Sequence, residues 1–131
     1  MKRLLLILGI ITTALLLSNA LQAQDSTIHK MADQMPEPAG GIKSFYEYIE
    51  SNLQYPQEAR QLKLQGRVMV KFVVETDGSL SSIEVSKGIG GGCDEEAVRL
   101  LRNAPKWKPG KKGGKEVRVE VSRPIIFKLD M

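Results

Sequence analysis

Val68-Met69-Val70-Lys71-Phe72-Val73-Val74, followed closely by Thr76-Asp77-Gly78-Ser79, decides the fold. Val68, Val70, Phe72 and Val74 recur at every second position, while Arg67, Met69, Lys71 and Glu75 mostly fall between them. A period of two places the apolar set on one face of a strand, so this strand belongs to a sheet covered on one side. Asp77-Gly78 then turns the chain back into an antiparallel partner whose apolar residues are Leu80, Ile83 and Val85. Serines fill the positions between them, which predicts modest burial for this second strand.

Working outward from the hairpin, the pattern alternates between helix and strand periods. Ile42, Phe45, Tyr46, Ile49 and Leu53 recur at helical spacing and predict a helix that ends before Tyr55. Pro56 suits the first turn of a second helix, where its missing N–H is unneeded, and Gly66 stops that helix. Beyond the hairpin, Gly88-Ile89-Gly90-Gly91-Gly92 forms a flexible turn into a third helix carrying Cys93, Ala97, Leu100 and Leu101 on one stripe. Asp94, Glu95 and Glu96 open that helix where its dipole favours acids, and Pro105 ends it. Val117, Val119, Val121, Ile125, Phe127 and Leu129 share one face of a long last strand, interrupted by Arg123. Pro124, on the opposite parity, assigns this strand to an edge or to a bulge, because proline cannot donate to a ladder. The expected fold class is α+β, a three-stranded antiparallel sheet with two to three helices packed on one face.

The N-terminus reads differently. Met1-Lys2-Arg3 precedes a 14-residue apolar run, Leu4 to Leu17, with small-residue exits at Ala20 and Ala23. A spanning helix needs ~20 apolar residues, so residues 1–23 are expected to be a secretory signal peptide. Residues 24–39, polar and carrying Pro36 and Pro38, are expected to be a flexible or loosely docked leader, and 40–131 a single domain. Without Lys2 and Arg3, 17 basic residues face 15 acids and the formal charge falls from +4 to +2. That balance gives no reason to expect nucleic acid as a partner.

The chemistry-bearing residue types point away from catalysis. Cys93 is the only cysteine and His29 the only histidine, and His29 lies in the leader, so neither a thiol–imidazole pair nor a metal site is implied. The glycine run opens a helix with Cys93-Asp94-Glu95-Glu96, whose acids would repel phosphate. The reading is a protein that is not an enzyme and needs no cofactor. Lys106, Lys108, Lys111, Lys112, Lys115 and Arg118 gather around Trp107, either as a surface for an acidic partner or as a solvated connection.

Tyr55-Pro56-Gln57-Glu58-Ala59, Gly66-Arg67-Val68, Phe72-Val73-Val74-Glu75-Thr76-Asp77-Gly78, Cys93-Asp94-Glu95-Glu96-Ala97-Val98 and Pro105-Lys106-Trp107-Lys108-Pro109-Gly110 follow one another in an order that resembles the C-terminal domain of TonB-type energy transducers. The resemblance implies a periplasmic domain that engages outer-membrane TonB-dependent transporters, whose extended peptide segment adds as a strand to its sheet. Carried over, the partner-binding positions are Gln54, Tyr55 and Pro56 together with Val117, Arg118, Val119, Glu120 and Val121, on a strand running to Phe127. A full transducer is similar to a rod with a membrane helix, coupled to an inner-membrane motor complex, and a long proline-rich spacer. If the N-terminal segment stays in the inner membrane as an anchor, a 16-residue leader spans at most ~55 Å. Two alternatives stand beside this reading. Tyr55-Pro56 can simply start a helix while Pro124, Arg118 and Lys128 blunt the edge, or the terminal strand can pair with a second copy to form an envelope scaffold or homodimer.

Overall fold

A computed structural model describes residues 26–129. The expected signal peptide, residues 1–23, lies outside them. In chain order the elements are β1 (Ile28–His29), β2 (Glu37–Pro38), α1 (Gly41–Asn52), α2 (Gln57–Gln61), β3 (Gly66–Val74), β4 (Leu80–Lys87), α3 (Cys93–Arg102), β5 (Trp107–Lys108), β6 (Gly110–Lys112) and β7 (Lys115–Phe127).

The alternating stretch that opened the sequence reading forms the central strand. β3 pairs antiparallel with β4 on one side and with β7 on the other, and Val68, Val70, Phe72 and Val74 are fully buried. Each such side chain withdrawn from water contributes roughly 1.5–3 kcal/mol, which makes β3 the natural spine of the domain. Phe72 meets Trp107 edge-on with ring centroids 5.3 Å apart, and Phe45 of α1 meets the same indole at 5.4 Å. Ala97, Leu100 and Leu101 of α3 close the same core, so α1 and α3 cover one face of the sheet. On the other face Lys71 pairs with Glu84 at 2.8 Å and with Glu120 at 3.8 Å.

The α+β class holds, with more strands than the three expected. β1 adds to β7 in parallel, β6 folds back on β7 as a hairpin, and β2 pairs with β5 as a separate two-stranded ribbon. Residues 28–38 therefore run along the domain, with Gln34 and Lys111 exchanging both backbone hydrogen bonds at 3.0 and 2.8 Å. Two local expectations are corrected. Ile42 is 45% exposed, because α1 begins at Gly41 and its first turn overhangs the core. The second helix ends at Gln61 rather than near Gly66, and Lys63 follows at φ 55°, in the left-handed region that breaks a helix.

The hairpin turn shows why glycine stands at position 78. Gly78 has φ 86°, and a Cβ there would lie 2.1 Å from the Trp107 carbonyl oxygen. The close approach lets the Trp107 N–H donate to the Gly78 carbonyl at 2.8 Å, which ties the turn to the indole at the centre of the core.

Candidate partner-binding edge

β7 is the longest strand and it is used unequally along its two sides. Toward β3 it is paired without a register break from Val119 to Phe127. On its outer side β1 covers Arg118 and Val119, and among the described residues no strand covers Glu120 to Phe127 there.

The backbone direction along this open stretch follows from two contacts. Met69 stands opposite Pro124, and the Met69 carbonyl accepts a hydrogen bond from Ser86 Oγ of β4 at 3.3 Å. Met69 thus faces β4, and in an antiparallel ladder its opposite residue then faces away as well. In agreement, Tyr46 Oη of α1 donates to the Pro124 carbonyl at 3.2 Å. A proline at an outward-facing position costs no ladder bond, which is why one is tolerated here. Alternation extends the assignment: Glu120, Ser122 and Ile126 turn their N–H and C=O groups to the open edge, while Val121, Arg123, Ile125 and Phe127 bond to β3. The odd-numbered side chains lie on the helix-covered face, where Ile125 and Phe127 are buried.

The positions singled out from sequence are distributed along this strand and beyond its end. Val117 pairs with Gly110 of β6, and Arg118 and Val119 pair with Ile28 and His29 of β1. Only Glu120 and Val121 of that set reach the uncovered stretch. Arg118 donates from Nε to Glu75 Oε1 at 2.7 Å and from a terminal nitrogen to the Ser26 carbonyl at 2.7 Å, so it fastens β1 and stands apart from the lysine cluster. The guanidinium, with help from the Ser81 hydroxyl, holds the Glu75 carboxyl below its ordinary pKa.

Gln54, Tyr55 and Pro56 lie at the opposite end. The Tyr55 ring meets Phe127 edge-on at 5.7 Å and an 82° interplanar angle, and its hydroxyl donates to the Leu64 carbonyl. The Arg60 guanidinium carbon lies over the Tyr55 ring, 5.4 Å from its centroid. The Gln54 N–H donates to Glu96 Oε2 at 2.6 Å, and Glu96, 7% exposed, also receives two bonds from Arg99 at 2.5 and 2.8 Å. Tyr55 therefore locks the loop before α2 to the end of β7, while Gln54 locks it to α3. At about 3.4 Å per residue, the eight steps from Val119 to Phe127 separate the two groups of expected contact residues by roughly 27 Å.

Sequence reasoning did not mark the groove that joins α1 to the end of β7. Tyr46, Ile49, Leu53, Tyr55, Ile126 and Leu129 line it, and Ile126 is 56% exposed. The only signal for it was the polar–apolar mismatch of Ile126 with its parity. Cys93 is fully buried, and burial together with Asp94, Glu95 and Glu96 pushes its thiol pKa up, the reverse of what a nucleophile needs. Among the described residues no group of three or more His, Cys, Asp or Glu is placed to hold a metal ion, and no helix is long and apolar enough to cross a membrane.

The described residues define an α+β domain whose longest strand is flanked on its outer side only by the two residues of β1, so that most of that side is open. Residues 51–129 match the family model for the C-terminal region of the Gram-negative bacterial TonB protein, and the chain belongs to that family. It is 28% identical over 76 residues to Protein TonB of Pseudomonas aeruginosa, which covers 58% of this chain and 22% of that protein. It is 32% identical over 77 residues to Protein TonB of Escherichia coli, covering 59% of this chain and 30% of that protein. The chain thus spans less than a third of the length of these curated relatives. Its fold is similar to the solution structure of the Helicobacter pylori TonB C-terminal domain, with a TM-score of 0.55, 26% identity, and coverage of 69% of this chain and 95% of that one.

Proposed function

We propose that this protein is a periplasmic binding module that engages outer-membrane transporters by taking up an extended transporter segment as an added strand on β7, in the manner of the partner-binding end of an energy transducer. The observation that carries the reading is the outward-facing backbone of Glu120, Ser122 and Ile126. Unpaired donors and acceptors at a sheet edge are satisfied by strand addition with little dependence on side chains. Family membership supports the choice of partner. In this reading Gln54, Tyr55 and Pro56 act at the far end of the strand, where the groove beside Ile126 receives the end of the segment. Arg118 and Val119 act through β1, which shares their edge and limits how far an added strand extends, and Val117 acts through its pairing with β6. The protein binds and does no chemistry.

The test is backbone NMR of the exported chain titrated with peptides from the periplasmic N-termini of transporters of the same cell. Saturable shifts from Glu120 to Phe127 and near Gln54 to Pro56 are expected. Absence of shifts at millimolar peptide, with the same amides already protected in a concentration-dependent dimer, would replace this reading with the scaffold.

A further inference from the structure

The Arg123 side chain is in no ion pair among the described residues, and its setting is unfavourable to an unpaired cation. It interrupts the apolar face of β7 between Val121 and Ile125, opposite the fully buried Val70. Its Nε is buried and has no hydrogen-bond partner. Among the described residues, none of the ion pairs includes it. The neighbouring polar group from α1 is the Tyr46 hydroxyl, which is committed to the Pro124 carbonyl. The Arg123 guanidinium is thus a partly buried cation with no carboxylate beside it among the described residues. What it lacks is an anion, and the one side from which an anion can approach in register is the open edge.

We infer that the strand accepted by β7 carries an aspartate or glutamate directly beside Arg123, with apolar residues two positions to either side that rest against Val121 and Ile125. The inference rests on the strand-addition reading and specifies its ligand. A residue laterally adjacent on the same face of a sheet has its Cβ ~4.5–5.5 Å away, within reach of a carboxylate–guanidinium pair. Its neighbours along the strand point to the solvent face and contribute little choice. Backbone pairing alone is indifferent to sequence, so Arg123 selects the register and the partner. Pro124 sharpens that selection: it has no N–H, and its carbonyl is held by Tyr46, so the ladder is interrupted beside Arg123 and the side-chain pair bridges the gap.

The probe is a nine-residue peptide alternating valine and threonine, with glutamate in place of the central valine, compared with the same peptide carrying glutamine or lysine there. Each is titrated into the exported chain and followed at the amides of Glu120, Ser122 and Ile126. The glutamate peptide is expected to bind about tenfold more tightly than the glutamine peptide, and the lysine peptide weakest. Arg123→Gln should abolish the preference while leaving the glutamine peptide's affinity in place, and Arg123→Glu should reverse it in favour of lysine. Equal affinity of all three peptides, with edge shifts intact and no response to Arg123→Gln, would overturn the inference and leave strand addition standing. Absence of edge shifts with every peptide at millimolar concentration would overturn both.

Discussion

Replacing Tyr55 and Phe127 singly and together by leucine measures whether the tyrosine of the Tyr-Pro pair acts by holding the end of β7. Phe127 is 1% exposed and meets Tyr55 edge-on at 5.7 Å. Such a pair contributes ~1 kcal/mol beyond the area it buries. Phe127→Leu keeps most of the buried volume, so its cost should be about 1.5 kcal/mol, mainly the lost ring contact and a small packing defect. Tyr55→Leu loses the same contact and also removes the hydroxyl that bonds to the Leu64 carbonyl, which adds ~1 kcal/mol and brings its cost to about 2 kcal/mol. Because both single variants lose one shared contact, the double variant should cost about 2.5 kcal/mol, leaving a coupling of ~1 kcal/mol. Equilibrium urea unfolding reads these values from the shift in midpoint at constant slope, and in a domain of this size 1 kcal/mol also lowers Tm by roughly 4–8 °C. Strict additivity, with coupling under ~0.3 kcal/mol, would refute the claim that the aromatic pair fastens the loop to the strand.

Two further perturbations address the framework. Gly78→Ala places a methyl group 2.1 Å from the Trp107 carbonyl at φ 86°, so it should cost at least ~2 kcal/mol, and an unchanged urea midpoint would contradict the close approach. Glu75 has its pKa depressed in the folded state, chiefly by Arg118, so its stabilising effect is present above the ordinary carboxylate value of about 4.3 and is lost as pH falls through the lower folded value. The stability difference between the native chain and Glu75→Gln should therefore shrink as unfolding is followed below about pH 4, whereas a difference constant down to pH 2 would contradict the pairing.

The fold was legible where burial and period coincide. Val68, Val70, Phe72 and Val74 announce a strand with one covered face, and Pro124 announces an edge or a bulge, since both follow from constraints local to a few residues. The parallel pairing of Ile28 and His29 with β7 was not legible, because two residues show no period and their partners lie some 90 positions away. Arg118 likewise reads as one of a run of cations, yet its partner Glu75 is 43 positions distant and only the folded chain brings them together. Tyr55 stood out in the sequence only as part of the Tyr-Pro pair, and sequence could not say that its ring faces Phe127. Arg123 was visible as an interruption of an apolar face, and only the topology reveals that the interruption falls on a stretch of β7 whose outer edge no strand covers among the described residues.

Amide hydrogen exchange along β7, with and without a saturating transporter peptide, tests strand addition most directly. The free chain should exchange rapidly at Glu120, Ser122 and Ile126 and slowly at Val121, Arg123 and Ile125, because only the second set bonds to β3. With peptide bound, Glu120 and Ser122 should gain protection while the alternate amides change little. Binding that leaves both of those amides as fast as in the free chain would contradict strand addition on this edge.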